Sequence, residues 1–139
     1  MKKIISHSED ETKKIASSIA QEIESGVIAL TGELGSGKTI FVQGFAKGLR
    51  IREKIISPTF VLIRQHKLPD GKKTLYHIDL YRLEGKINIK QLGIKEILLN
   101  PENLVLIEWA EKIKKDLPEK TIKINIEKKG TTERLITIS

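Results

Sequence analysis

The chain contains no cysteine, which excludes disulfide scaffolds, cysteine-ligated zinc or iron–sulfur centres, and thiol catalysis. Aromatic residues make up only 4% of it, so the stacking platforms that hold single-stranded nucleic acid are scarce. Long apolar runs are missing as well. Nothing approaches the ~20 residues of a membrane span, and the first eleven residues offer only Ile4-Ile5 where a secretory signal needs about 7–15 apolar positions. The expectation is a cytoplasmic protein without membrane attachment. Four prolines and ten glycines among 139 residues are too few for collagen-like repeats or low-complexity linkers.

What is present fits one domain spanning residues 1–139, a usual domain size. With 39% apolar residues, a chain this long can build a core unaided by disulfides or metals. Basic residues number 25 against 18 acidic, a net charge of +7. Most of the excess lies between Lys47 and Lys73, where Lys47, Arg50, Arg52, Lys54, Arg64, Lys67, Lys72 and Lys73 face only Glu53 and Asp70. Such a segment is either a docking face for an anionic partner or a solvated lysine-rich surface.

Periodicity outlines the elements. Ser8 and Glu11 have capping-box spacing, and Ile15, Ala16, Ile19, Ala20 and Ile23 then share one helical face, with Gly26 as the expected stop. Val27–Thr31 reads as a strand buried on both faces. A second helical pattern runs through Phe41, Val42, Phe45, Ala46 and Leu49. Residues 59–68 and 74–83 read as a hairpin around Pro69-Asp70-Gly71-Lys72. A short helix over 90–99, a buried strand over 104–107 ending on Glu108, a helix over 110–116 and a C-terminal hairpin complete the order. Strands with interspersed helices imply an α/β fold with a parallel centre and antiparallel additions.

Gly32-Glu33-Leu34-Gly35-Ser36-Gly37-Lys38-Thr39 matches the phosphate-loop pattern G-x-x-x-x-G-K-[ST]. The glycines let successive N–H groups turn inward around a phosphate, the lysine reaches the outer phosphates, and the threonine hydroxyl ligates Mg²⁺. The following helix adds its N-terminal positive charge. At ordinary residue frequencies the pattern arises by chance in a chain this size on the order of 1% of the time. Here it also has a buried strand before it and an amphipathic helix after it.

Such a site needs carboxylates. Glu108 ends an apolar strand, where α/β sheets place their ligands; it is either a strand-ending glutamate in solvent or a site carboxylate that binds Mg²⁺ directly, acts through water or polarises the nucleophile. Asp79 lies in Tyr76-His77-Ile78-Asp79-Leu80-Tyr81, where period-2 geometry puts His77, Asp79 and Tyr81 on one face, either a site or a solvent-facing alternation. His77 is a base or a hydrogen-bonded core residue, and the second reading is taken here. Ser57-Pro58-Thr59-Phe60 is either a phosphate-sensing loop or a turn before a strand. Trp109, the only tryptophan, lines the site or only packs.

These segments together resemble the TsaE (YjeE) family of bacterial threonylcarbamoyladenosine tRNA modification. The likeness rests on residues 32–39, Ser57-Pro58-Thr59-Phe60, His77-Ile78-Asp79-Leu80-Tyr81-Arg82-Leu83, Leu92-Gly93 and Ile107-Glu108-Trp109, and it covers nearly the whole chain. The resemblance implies a P-loop NTPase-type three-layer sandwich with a mixed sheet. It implies hydrolysis of ATP with Mg²⁺ inside a complex with TsaD-like and TsaB-like proteins, supporting repeated threonylcarbamoyl transfer to adenosine 37 of tRNAs reading ANN codons. Whether this chain touches tRNA directly is left open. Lys38, Asp79 and Glu108 would be catalytic, with Thr39 and Glu108 at the metal. Nucleotide contacts would come from Thr12, Glu33, Leu34, Gly35, Ser36, Gly37, Lys38, Thr39, Thr59 and Arg134. Ala110 stands where proline is common in the family, and His66 where tyrosine is frequent, a change bearing on surface contacts alone.

Two other classes compete, a different nucleotide-using enzyme and a nucleic-acid-binding module. A small-molecule kinase needs an arginine-bearing lid and an acceptor pocket, and little chain is left to build them. A GTPase is disfavoured because no N-K-x-D is present. A basic nucleic-acid module would bind electrostatically and lose affinity with salt.

Overall fold

The computed structural model describes residues 1–52 and 62–139. Helix α1 (Glu9–Glu22) starts where the capping box places it, with the Ser8 hydroxyl accepting the Glu11 amide at 3.1 Å. Three acidic residues follow in its first turn, where the helix dipole favours negative charge. The helix ends before Gly26, because Ile23 is already extended. Gly26 instead opens strand β2 (Gly26–Thr31), donating its amide to the Asn103 carbonyl at 2.9 Å.

The described strands form one seven-stranded sheet. Besides β2 it contains β1 (Lys2–Ser6), β3 (Ile63–Lys67), β4 (Thr74–Asp79), β5 (Leu104–Glu108), β6 (Ile122–Lys128) and β7 (Arg134–Ile138). The order is β1-β7-β6-β2-β5-β4-β3. Pairs β4·β5, β5·β2 and β2·β6 are parallel, and the outer pairs are antiparallel. The expected mixed sheet with a parallel centre is therefore present.

Alternation sends side chains to two cores. Ile28, Leu30, Leu75, Leu104, Leu106 and Ile124 meet α1 and helix α2 (Lys38–Gly48) on one face. Val27, Ala29, Ile78, Val105 and Ile107 meet helix α3 (Ile94–Leu99) and the 3₁₀ helix Ala110–Asp116 on the other. This makes three layers. The two helices of the first face touch backbone to backbone: a Cβ on Gly44 would lie 2.5 Å from the Lys13 Cα, and one on Gly48 would lie 2.5 Å from the Ser17 carbonyl oxygen.

Several boundaries differ from expectation for local reasons. Strand β4 stops at Asp79, because the Asp79 carboxylate accepts the Tyr81 amide at 3.0 Å and bends the chain away. Tyr81 therefore lies in a turn and does not continue the strand face. The helix expected from residue 90 starts at Ile94, since Asn88 Oδ1 accepts the amides of Lys90 and Gln91 and holds a turn there. Residues 110–116 wind as a 3₁₀ helix, with Ile113 off helical geometry. Strand β1 was hidden by its sequence, Lys-Lys-Ile-Ile-Ser, which lacks alternation; its lysines suit an edge. The hairpin of β3 and β4 is present from Ile63, and the expected strand start at Thr59 lies outside the described residues. His66 is buried, so it is not the surface position expected of it.

Candidate functional site

The loop from Gly32 to Gly37 joins the carboxyl end of β2 to the start of α2. It passes so close to β6 that a Cβ on Gly32 would lie 2.5 Å from the Ile126 carbonyl oxygen. Gly37 caps α2 with a left-handed φ of +107° and no side-chain hydrogen bond. The first-turn amides of α2 thus have neither intrahelical partners nor a cap, which suits an anion. The Ser36 amide donates to the Glu33 carbonyl at 3.0 Å and tightens the loop. Arg134, from the start of β7, donates its Nε–H to the Ser36 carbonyl at 2.8 Å. A residue 98 positions away therefore braces the loop from the side.

Lys38 is nearly buried at 6% exposure. Its ammonium donates to the Gly32 carbonyl and, at 3.2 Å, to the Glu33 carbonyl. It also lies 3.7 Å from the centroid of the Trp109 ring, within cation–π range. Burial holds its pKa below the usual lysine value, opposed by the charges of Glu111, Glu108 and Asp79. The site's cation and its carboxylates share one electrostatic field.

Parallel register sets the two acids side by side: Asp79 at the end of β4 pairs with Glu108 at the end of β5. Glu108 in turn lies beside Leu30 of β2, just ahead of the loop. Glu108 is 2% exposed and hydrogen-bonded to His77 Nε2 at 2.6 Å. His77 is a core residue, as read, and its partner is a site carboxylate. Trp109 both lines the site and packs. It adopts a left-handed φ of +60°, rare outside glycine, and its ring lies 5.3 Å from that of Tyr81. Lys112 pins this turn, donating to the Tyr81 and Leu83 carbonyls at 2.7 Å each.

These groups border a cavity of 630 Å³ that includes Glu33, Leu34, Gly35, Gly37, Lys38, Thr39, Asp79, Glu108 and Arg134, within the usual size of small-ligand pockets. Thr12 lines it too, buried, with its hydroxyl 2.6 Å from that of Ser6. The Ser6 proton goes to the Ser8 carbonyl at 2.8 Å, so Thr12 is the donor to Ser6. Ser36, within the loop, is buried and does not line the cavity; it gives its carbonyl to Arg134. Thr59 lies outside the described residues. Ser8, Glu9, Thr131 and Thr132 also border the cavity and were missed by sequence reasoning. Their place depends on strand order, which puts the β6–β7 turn next to the start of α1. A larger hollow of 740 Å³ on the other side of Gly32 and Trp109 lacks Lys38, Thr39, Asp79 and Glu108 from its walls.

Among the described residues no three His, Cys, Asp or Glu form a metal cluster. The oxygen donors bordering the cavity at Thr39, Asp79 and Glu108 fit Mg²⁺ in particular. That ion is usually held by one or two carboxylates together with substrate phosphates and water. Among the described residues no helix is long and apolar enough to cross a membrane.

A family model described as "Threonylcarbamoyl adenosine biosynthesis protein TsaE" matches residues 6–136. A Bacillus subtilis protein named tRNA threonylcarbamoyladenosine biosynthesis protein TsaE is 40% identical over 131 residues, covering 94% of this chain and 80% of its own length. A Treponema pallidum protein of the same name is 36% identical over 136 residues, covering 97% and 98% respectively. A crystal structure of Bacillus subtilis YdiB superposes with a TM-score of 0.76 at 33% identity, covering 99% of this chain and 83% of that one.

Proposed function

The chain belongs to the TsaE family, and on that premise we propose that it is a Mg²⁺-dependent ATPase of tRNA threonylcarbamoyladenosine biosynthesis. It works as a single domain with TsaD-like and TsaB-like partners, supporting repeated threonylcarbamoyl transfer to adenosine 37. The observation that carries the reading is the convergence of the loop 32–39 and the paired acids Asp79 and Glu108 on one cavity.

The loop amides and the N-terminus of α2 bind the phosphates of ATP. Lys38 leaves the Gly32 and Glu33 carbonyls to meet the outer phosphates, which replace two neutral acceptors with charged ones. Thr39 and Glu108 would hold the Mg²⁺, and the ion would supply positive charge against the phosphates. Asp79, directly across from Glu108, orients the attacking water. Arg134 keeps the loop in its binding shape, and Thr12, Ser8 and the β6–β7 turn border the remainder of the nucleotide. Thr59 is assigned to the same nucleotide contacts.

Mg²⁺-dependent ATP hydrolysis by the purified chain, alone and with its partners, tests the reading. Lys38→Ala and Thr39→Ala are each expected to lower turnover by at least about 100-fold, the scale of one lost charge-stabilising group. Wild-type turnover in either variant refutes the assignment.

A further inference from the structure

We propose that His77 is a positioning residue that fixes the Glu108 carboxylate in the orientation the metal site needs. This rests on the ATPase reading of the cavity.

Three observations carry it. First, among the described residues His77 is the only hydrogen-bond partner of the Glu108 side chain, through Nε2 and Oε2 at 2.6 Å. Second, both side chains are shut away from solvent, at 0% and 3% exposure. A carboxylate so placed needs a partner, because burial without one is costly. Third, His77 Nδ1 is buried and has no hydrogen-bond partner among the described residues. A proton there would be a stranded donor, so hydrogen-bond accounting puts the imidazole proton on Nε2. The ring then donates to Oε2 and leaves Oε1 as the oxygen offered to the cavity.

Strand geometry explains the contact. His77 and Asp79 alternate onto the same face of β4, and Leu106 and Glu108 onto the same face of β5. His77 pairs with Leu106, so it reaches Glu108 along the diagonal. The pair is backed by Leu75, Leu104 and Leu106, all at 1% exposure or less. Breaking the contact would leave the His77 ring, at 0% exposure, without a hydrogen-bond partner among the described residues. Partners that orient a ligating group in this way are typically worth about 10- to 100-fold in metal affinity or activity.

The test is a double-mutant cycle on the full chain. His77→Leu removes the donor, with His77→Met as a second donor-free variant if the first melts early. His77→Gln keeps an N–H near Nε2. Each is made with Glu108 and with Glu108→Ala. Two quantities are read: kcat for ATP, and the Mg²⁺ concentration giving the half-maximal nucleotide-induced change in Trp109 fluorescence, Trp109 being the only tryptophan. The donor-free variants are expected to lower kcat about 10- to 100-fold and raise the Mg²⁺ requirement, and His77→Gln to restore most of both. In the Glu108→Ala background they are expected to change the Mg²⁺ requirement no further. Unchanged values in the donor-free variants overturn the proposal. So does an undiminished effect without Glu108, or a His77→Gln variant as impaired as His77→Leu. If Glu108→Ala itself leaves turnover intact, the ATPase assignment of Glu108 falls and this inference with it. Loss in Glu108→Ala with none in His77→Leu overturns this inference alone.

Discussion

At the level of single residues, the loop's shape depends on contacts that no local pattern contains. Arg134 donates to the Ser36 carbonyl, so the loop is held from the opposite end of the chain. Arg134→Met keeps most of the side chain's bulk and removes the donor. A hydrogen bond from a charged group is worth about 1.5–3 kcal/mol, so ATP affinity is expected to fall by roughly 10- to 100-fold. Equilibrium titration of nucleotide checks this, and unchanged affinity would reduce Arg134 to a lining residue. The phosphate loop itself was legible, since glycine spacing and the lysine are local signals. Glu108 was legible as a candidate because it is a charge closing an apolar run, and Asp79 because period-2 alternation puts it on a polar strand face with His77. The His77–Glu108 contact was not: it lies on a diagonal between two strands, and register is absent from any one segment. Trp109 could be read only as lining or packing, because its left-handed backbone turns the ring onto Lys38.

At the level of elements, the seating of α2 against α1 governs how the loop meets the sheet. The pattern Phe41, Val42, Phe45, Ala46 correctly marks the buried side of α2. It gives no hint that Gly44 and Gly48, four apart, let the two backbones close on Lys13 and Ser17. Gly44→Ala gains helix propensity, about 1 kcal/mol in an open helix. Here the new methyl would overlap backbone atoms that cannot rotate away. The clash is expected to win, leaving a net loss of about 1–3 kcal/mol, the usual scale of overpacking. Chemical denaturation measures it, and an unchanged or raised midpoint would contradict the close approach. The same distinction explains the missed boundaries. Asp79 and Asn88 end or delay elements through side-chain hydrogen bonds to nearby amides, which compete with continued strand or helix.

At the level of the whole molecule, strand order unites what the sequence scatters. Residues near 10, 35, 79, 108 and 132 border one cavity because β2, β4 and β5 run parallel and the β6–β7 hairpin folds beside them. The α/β class, the parallel centre and the C-terminal hairpin were readable from burial patterns. The seven-strand order was not, since only long-range pairing decides it. The basic segment belongs to this scale too. Arg50 and Arg52 are exposed on its described part. On the proposed function, ATP turnover at this cavity sustains threonylcarbamoyl transfer to tRNA carried out by partner proteins. The most direct measurement is a reconstituted tRNA modification reaction, with modified adenosine 37 counted per TsaD-like subunit. Many turnovers are expected with the wild-type chain, and turnover stalled near the first cycle with Lys38→Ala or with the chain omitted. Equal multi-turnover yields with wild type and Lys38→Ala would contradict the proposed function.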